Sequence, residues 1–183
     1  MGRVVVHEFM TLDGVIDAPS WAGEYPFDPA MGQAIGGLMS TCSALLLGRT
    51  TFEMFAPAWS TRSPEDDPGV PFFNDTPKYV VSATLENADA WQNSHIVGGY
   101  DANTIRELKD RVAGNIYISG SGTLVRALLA DGLVDELHLF VFPVILGEGA
   151  HLFADGSAHT KVALALSEAY DNGVLHLTYT PAT

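Results

Sequence analysis

The stretch Asn115-Ile116-Tyr117-Ile118-Ser119-Gly120-Ser121-Gly122-Thr123-Leu124-Val125-Arg126-Ala127-Leu128-Leu129 passes from an apolar run, through a Gly-Ser-Gly turn, into apolar residues at helical spacing. The opening residues read as a short buried strand, and Leu124, Leu128 and Leu129 mark a helix. A strand that turns tightly into a helix leaves the first helical N–H groups without intrahelical partners, and the helix dipole adds partial positive charge there. The junction suits a phosphate or pyrophosphate, and the glycines let a ligand approach the backbone. A plain strand-to-helix turn with no ligand fits these residues equally well, so the reading depends on what the rest of the chain brings to the turn.

Working outward, a second junction of the same kind lies at 44–55, where Ala44-Leu45-Leu46-Leu47 runs into Gly48-Arg49-Thr50-Thr51-Phe52-Glu53-Met54-Phe55. A short continuous apolar run is the mark of a strand buried on both faces of a parallel sheet. Thr50 and Glu53 have capping-box spacing, whereas Arg49 has no such local use; a guanidinium fork is the usual partner of a phosphate, with a surface ion pair as the alternative. Residues 78–85 read as a third strand that delivers hydroxyls, Ser82 and Thr84, to its carboxyl end, the edge where open α/β sheets bind ligands.

The remaining elements surround these three. Residues 3–10 form a central strand with His7 and Glu8 as polar intrusions on opposite faces, and Thr11-Leu12-Asp13-Gly14 turns the chain. Residues 19–29 read as a loop carrying Trp21, Glu24, Tyr25 and Asp28, placed either to rim a ligand or to cover the core. A helix follows with Asp28 as N-cap and Pro29 at its first position, burying Met31, Ile35, Leu38, Met39 and Cys42. Residues 60–76 are a polar surface excursion pinned by Phe72 and Phe73. A brief strand at 96–97, an amphipathic helix at 103–112 and a long strand at 133–146 broken by Pro143 come next. Strands at 161–170 and 174–180 then meet at Asp171-Asn172-Gly173, a strong hairpin signal. The expectation is a single α/β domain, 1–183, with a mostly parallel sheet and an antiparallel C-terminal hairpin.

Composition narrows the function. The 183 residues carry a formal charge of −13 with only nine Lys and Arg, which argues against a nucleic-acid partner. Six dispersed His give no zinc spacing, so no metal site is expected. The single cysteine, Cys42, excludes an intrachain disulfide and reads as a structural thiol, consistent with a cytoplasmic protein. No apolar run is long enough to span a membrane, and no signal peptide is apparent.

Taken in order, Thr11-Leu12-Asp13-Gly14, Leu47-Gly48-Arg49-Thr50-Thr51-Phe52-Glu53, Val80-Val81-Ser82-Ala83-Thr84-Leu85, Ile118-Ser119-Gly120-Ser121-Gly122-Thr123-Leu124, Gly132-Leu133-Val134-Asp135-Glu136-Leu137 and Pro143-Val144-Ile145-Leu146-Gly147-Glu148-Gly149 resemble the dihydrofolate reductase-like superfold. More narrowly, they resemble the reductase domain of the bifunctional riboflavin-biosynthesis deaminase/reductase. The resemblance implies a three-layer fold and NADPH, with NADH as an alternative, lying across the carboxyl ends of the central strands. It places Gly48, Arg49 and Thr50 at the cofactor's phosphates and Ser82 and Thr84 near the adenosine ribose. Gly120, Ser121, Gly122, Thr123 and Leu124 fall at the pyrophosphate, and Asp13 with the first strand beside nicotinamide and substrate. It also implies a homodimer.

Departures from the pattern are informative. The riboflavin-pathway enzymes resemble Val-Glu-Gly-Gly where this chain has Ile118-Ser119-Gly120-Ser121, so their substrate-binding glutamate is Ser119 here. Their Asp-x-Pro-x-Leu-x-x-Arg segment falls on Phe55-Ala56-Pro57-Ala58-Trp59, and the zinc-deaminase motif is absent. A ribosyl phosphate would lose two partners, at roughly 1–3 kcal/mol for each buried group left unpaired, so the riboflavin step is not expected. Many stand-alone relatives look to have an arginine where this chain has Ala83, which weakens a preference for NADPH over NADH but leaves Arg49. The resulting expectation is a reductase transferring hydride to a small conjugated or heteroaromatic, pterin- or pyrimidine-like substrate. Asp13, Trp21 and Ser119 are its substrate-side candidates, and Asp28 and Asp13 its candidate acids, with helix capping as the competing role for Asp28. The alternative is a catalytically silent NADP(H)-binding module. A hydrolase built on Asp13 and Glu8 is disfavoured because Glu8 lies on the wrong strand face.

Overall fold

Among the described residues, eight strands form one sheet in the order β4-β3-β2-β5-β1-β6-β8-β7. The computed structural model describes residues 1–183 apart from Ala18, Ala154, Ala158 and Thr183. The strands are β1 (Val4–Thr11), β2 (Cys42–Gly48), β3 (Lys78–Val81), β4 (Ser94–Gly98), β5 (Asn115–Ser119), β6 (Glu136–Phe142), β7 (Val162–Ala169) and β8 (Leu175–Pro181). Every pairing from β4 through to β6 is parallel, and β6–β8 and β8–β7 are antiparallel. The helices are α1 (Pro29–Ser40), α2 (Arg49–Ser60), α3 (Val70–Asp75), α4 (Ala102–Arg111) and α5 (Gly122–Ala130), with a 3-10 turn at Pro19–Glu24. None of the helices among the described residues is long and apolar enough to cross a membrane.

Strand alternation divides the side chains into two layers. Val4, Val6, Ala44, Leu46, Ile116, Ile118, Leu137 and Leu139 bury one face against Ile105 and Leu108 of α4 and Leu124, Val125 and Leu128 of α5. The other face is covered in two patches. Leu45, Leu47, Val80 and Tyr117 pack on Phe52 and Ala56 of α2 and on Phe73 of α3. Phe140 and Phe142 meet Trp21 and Met31. The result is the three-layer arrangement, with helices on both faces of a parallel sheet.

Several local expectations shift. Cys42 begins β2 instead of closing the buried stripe of α1, and its half-buried thiol is pushed up to about 11 by burial. Of that stripe only Met31 is fully buried. The loop at 60–76 contains α3, whose Phe73 stacks on Trp59 with ring centroids 4.0 Å apart. The third strand stops at Val81, because the Ser82 hydroxyl accepts the Thr84 and Leu85 N–H groups and turns the chain. The last long strand begins only at Glu136. Asp135 before it accepts from Val4 N–H at 2.7 Å and from Lys109 Nζ at 2.6 Å, fastening α4 to β1. Asp135→Ala leaves Lys109, a largely buried cation, without its carboxylate. It is expected to cost about 2–3 kcal/mol, read as a lower urea midpoint with an unchanged slope.

Candidate functional site

The two strand-to-helix junctions meet at the carboxyl edge of the sheet, because β2 and β5 are neighbours. Ser121 joins them: its hydroxyl accepts the Gly48 N–H at 2.9 Å and donates to Thr51 Oγ1 at 2.8 Å. Gly120 and Ser121 both take left-handed backbone, φ 69° and 67°, and this tightens the turn into α5. Glycine suits position 120 because its left-handed φ is one that L side chains rarely adopt; the space itself would admit a Cβ in ordinary contact, 3.5 Å from Thr51.

The starts of α2 and α5 lack side-chain caps, as does that of the short α3. Asp28 caps α1 and Asp101 caps α4, each accepting backbone N–H groups of the first turn. By contrast α2 begins after Gly48 and α5 after Ser121, neither with a side-chain cap. The capping box expected of Thr50 and Glu53 does not form, because the helix starts two residues earlier, after Gly48, and Glu53 pairs with Arg49 instead. The first amides of α2 and α5 thus remain as two adjacent sets of donors at the positive ends of two helices. That donor set fits an anion such as a pyrophosphate.

Arg49 extends the site toward β3. Its Nη1 donates to Thr84 Oγ1 at 2.7 Å and its Nε to Glu53 Oε1 at 2.8 Å. Beside this pair opens a cleft of about 490 Å³ between α2 and residues 84–90, floored by Phe52 and Leu85 and edged by Arg49, Glu53, Thr84 and Glu86. The structure therefore gathers Gly48, Arg49, Thr50, Thr84 and the Gly120–Leu124 turn along one edge. Ser82 is at the same edge, but it is buried and its oxygen is engaged by the turn it closes.

The candidates on the substrate side fare differently. Asp13 accepts from the Thr11 hydroxyl at 2.6 Å and from the Leu146 and Gly147 N–H groups, so it pins the 143–149 loop. The Thr11 hydroxyl and the Gly147 N–H hold its carboxyl down at about 2, which removes the proton an acid would need to give. Asp28 is likewise occupied: Oδ1 accepts from Ala30 and Met31, and Oδ2 from Asp171 N–H at the hairpin. Both geometries favour structural work over proton transfer. Asp28→Ala is accordingly expected to cost about 1–2 kcal/mol of stability, with Asp28→Asn recovering most of it. Of the two roles open to Trp21, the structure favours packing over the core: it is buried and edge-on to Phe142 with centroids 5.1 Å apart.

Ser119 leads to residues that local reading left without a role. His7 sits in register with it on β1, and the Tyr117 hydroxyl lies 2.9 Å from His7 Nδ1, with Ser119 Oγ at 3.5 Å. His7 Nε2 is buried and has no hydrogen-bond partner. Burial first, then His138 and His176, push the imidazole down to about 3, so it is neutral at pH 7. Those two histidines form their own buried pair, His138 Nδ1 to His176 Nε2 at 3.0 Å, across β6 and β8. On the opposite face Glu8 is buried with Oε1 unpartnered; burial pushes its carboxyl up to about 8 against the pull of the Gly120 N–H. The signal in the sequence was the His7-Glu8 pair inside an apolar strand. Its partners come from β5, β6 and β8, which only the topology brings together.

The RibD C-terminal domain family model matches residues 3–176. The chain belongs to that family. Among curated members, it is 26% identical to the uncharacterized protein YyaP of Bacillus subtilis, an alignment covering 97% of this chain and 94% of that one. Similarity to the B. subtilis uncharacterized protein YwjB is also 26%, covering 94% of each. A putative riboflavin biosynthesis protein from Shewanella sp. PV-4 superposes with a TM-score of 0.80 at 23% identity over the full length of both chains. The deaminase/reductase of Thermotoga maritima gives 0.64 at 14% identity, and this chain spans 57% of its length. These neighbours share the fold, and family membership makes a reductase framework the starting point for function.

Proposed function

We propose that this protein is a nicotinamide-dinucleotide-dependent reductase that delivers hydride to a small conjugated or heteroaromatic, pterin- or pyrimidine-like substrate. The observation that carries the reading is the pair of uncapped helix N-termini, joined through Ser121 and flanked by Arg49. A pyrophosphate would accept from the first amides of α2 and α5. In this reading the adenosine half extends over β3 and the nicotinamide half over β1, the strands that flank β2 and β5 on either side. When bound, the dinucleotide supplies the hydride; the chain supplies placement and polar contacts to the substrate.

On the substrate side the favoured residues are Ser119 and His7, whose neutral ring leaves Nε2 unpaired for a ligand atom. Asp13 and Asp28 recede to structural roles. That engagement of both carboxylates is what favours the second reading, a dinucleotide-binding module without turnover. A homodimer belongs to the proposal as well: β7 is an outer strand with Leu164 57% and Leu166 41% exposed, apolar surface that a second copy would cover.

Titration of the full chain with reduced nicotinamide dinucleotide, followed by cofactor fluorescence, tests the reading. Saturable binding and oxidation of the cofactor with at least one pterin, pyrimidine or enone in a panel supports the reductase. Binding without oxidation across the panel supports the module, and no binding at millimolar concentration contradicts both.

A further inference from the structure

We infer that the adenosine end of this site selects a free ribose 2′-hydroxyl, so that the protein uses NADH in preference to NADPH. The inference rests on the dinucleotide reading above and adds which dinucleotide the site takes. Its basis is the charge placed around the cleft at the end of β3. Three charged side chains edge it, Arg49, Glu53 and Glu86, so the cation is outnumbered by carboxylates. Arg49 is also committed, with Nε on Glu53 and Nη1 on Thr84.

Among the described residues, Arg49 is the one cation that lines this cleft. Ala83, exposed beside Thr84, offers no charge, and Gly98 and Gly99 at the end of β4 offer no side chain. A Cβ on Gly99 would lie 3.4 Å from that of Ala83, so these positions bound one small space. Lys78 belongs to β3 but starts it, at the opposite end of the strand. Its ammonium is spent on the Asn74 and Thr76 carbonyls. Arg126, on α5, is held by the His151 carbonyl and the Thr123 hydroxyl.

A 2′-phosphate would bring a charge of about −1.5 to −2 to this surface at pH 7. It would meet one paired guanidinium and two carboxylates, in a chain whose formal charge is already −13. A 2′-hydroxyl brings no charge and can donate to a carboxylate, which is the usual way an acidic residue reads an unphosphorylated ribose. Like charges placed together in an interface act mainly to reject the wrong partner.

Comparing NADH with NADPH by fluorescence titration of the full chain at low and moderate salt decides the matter, with 5′-AMP and 2′,5′-ADP as competitors that probe the adenosine end alone. NADH is expected to bind at least about tenfold more tightly, 5′-AMP to compete better than 2′,5′-ADP, and both gaps to narrow as salt rises. Ala83→Arg is expected to raise NADPH affinity by about tenfold or more, a gain that a misfolded variant cannot mimic. Glu53→Gln is expected to shrink the NADH advantage. Equal or tighter NADPH binding by the natural chain, or an Ala83→Arg variant with an unchanged ratio, overturns the selectivity while leaving the dinucleotide reading intact. Failure of every nucleotide to bind overturns the dinucleotide reading and the selectivity with it.

Discussion

Glu8→Gln is expected to stabilise the protein by an amount that grows between pH 5 and pH 8, reaching on the order of 4 kcal/mol at the upper end. Glu8 is 2% exposed, and its carboxyl titrates near 8 in the folded chain against 4.5 ordinarily. Between those values the folded chain holds a proton that the unfolded chain has lost. Stability therefore falls as pH rises through this window. Glutamine keeps the shape and a neutral group while removing the titration. His7 acts in the opposite sense. Its folded value of about 3 lies below its ordinary 6.5, so the unfolded chain binds the extra proton and stability rises with pH across that interval. The two slopes offset each other between about pH 4.5 and 6.5, where the natural chain should be at its most stable. Urea unfolding at half-unit pH steps measures this directly. A Glu8→Gln curve parallel to that of the natural chain from pH 5 to 8 would show that Glu8 is not held as a buried neutral acid.

The second large effect concerns the turn itself. Gly120→Val is expected to weaken dinucleotide binding by about 100-fold or more. The position has φ 69°, which costs an L-residue roughly 1–2 kcal/mol and a β-branched one more. A Cβ there would be in ordinary contact with Thr51 Oγ1 and Cγ2 at 3.5 Å, and valine adds two methyl groups beyond it, beside the residue that Ser121 uses to join the two helices. Thr51 and Ser121 must then move, and both sets of amide donors move with them. Calorimetric titration alongside a thermal unfolding curve separates loss of the site from loss of the fold. Affinity close to that of the natural chain in a folded variant would place the dinucleotide elsewhere.

Much of the fold could be read from short-range pattern. Apolar runs followed by small-residue turns identified β2 and β5, and Asn172-Gly173 identified the closing hairpin. The order of the last three strands was not legible, because β8 inserts between β6 and β7 through contacts far apart in sequence. The boundaries that shifted did so for single-residue reasons: Ser82 closes a turn with its own hydroxyl, and α2 starts after Gly48, two residues early. The same limit governs the site. Residues on the cofactor side were legible because helix starts are local features. Asp13 looked like an acid because its partners, Leu146 and Gly147, lie more than 130 residues away. His7 gained a candidate role only when Tyr117 and Ser119 were brought alongside it.

The most direct test of the dinucleotide reading is a crystal structure of the full chain soaked with NADH. The expected result is a pyrophosphate within hydrogen-bond distance of the first amides of α2 and α5, with Arg49 at the adenosine side and the nicotinamide toward β1. A dinucleotide bound away from the Gly120–Leu124 turn, or a turn left without ligand at saturating NADH in solution, would contradict it.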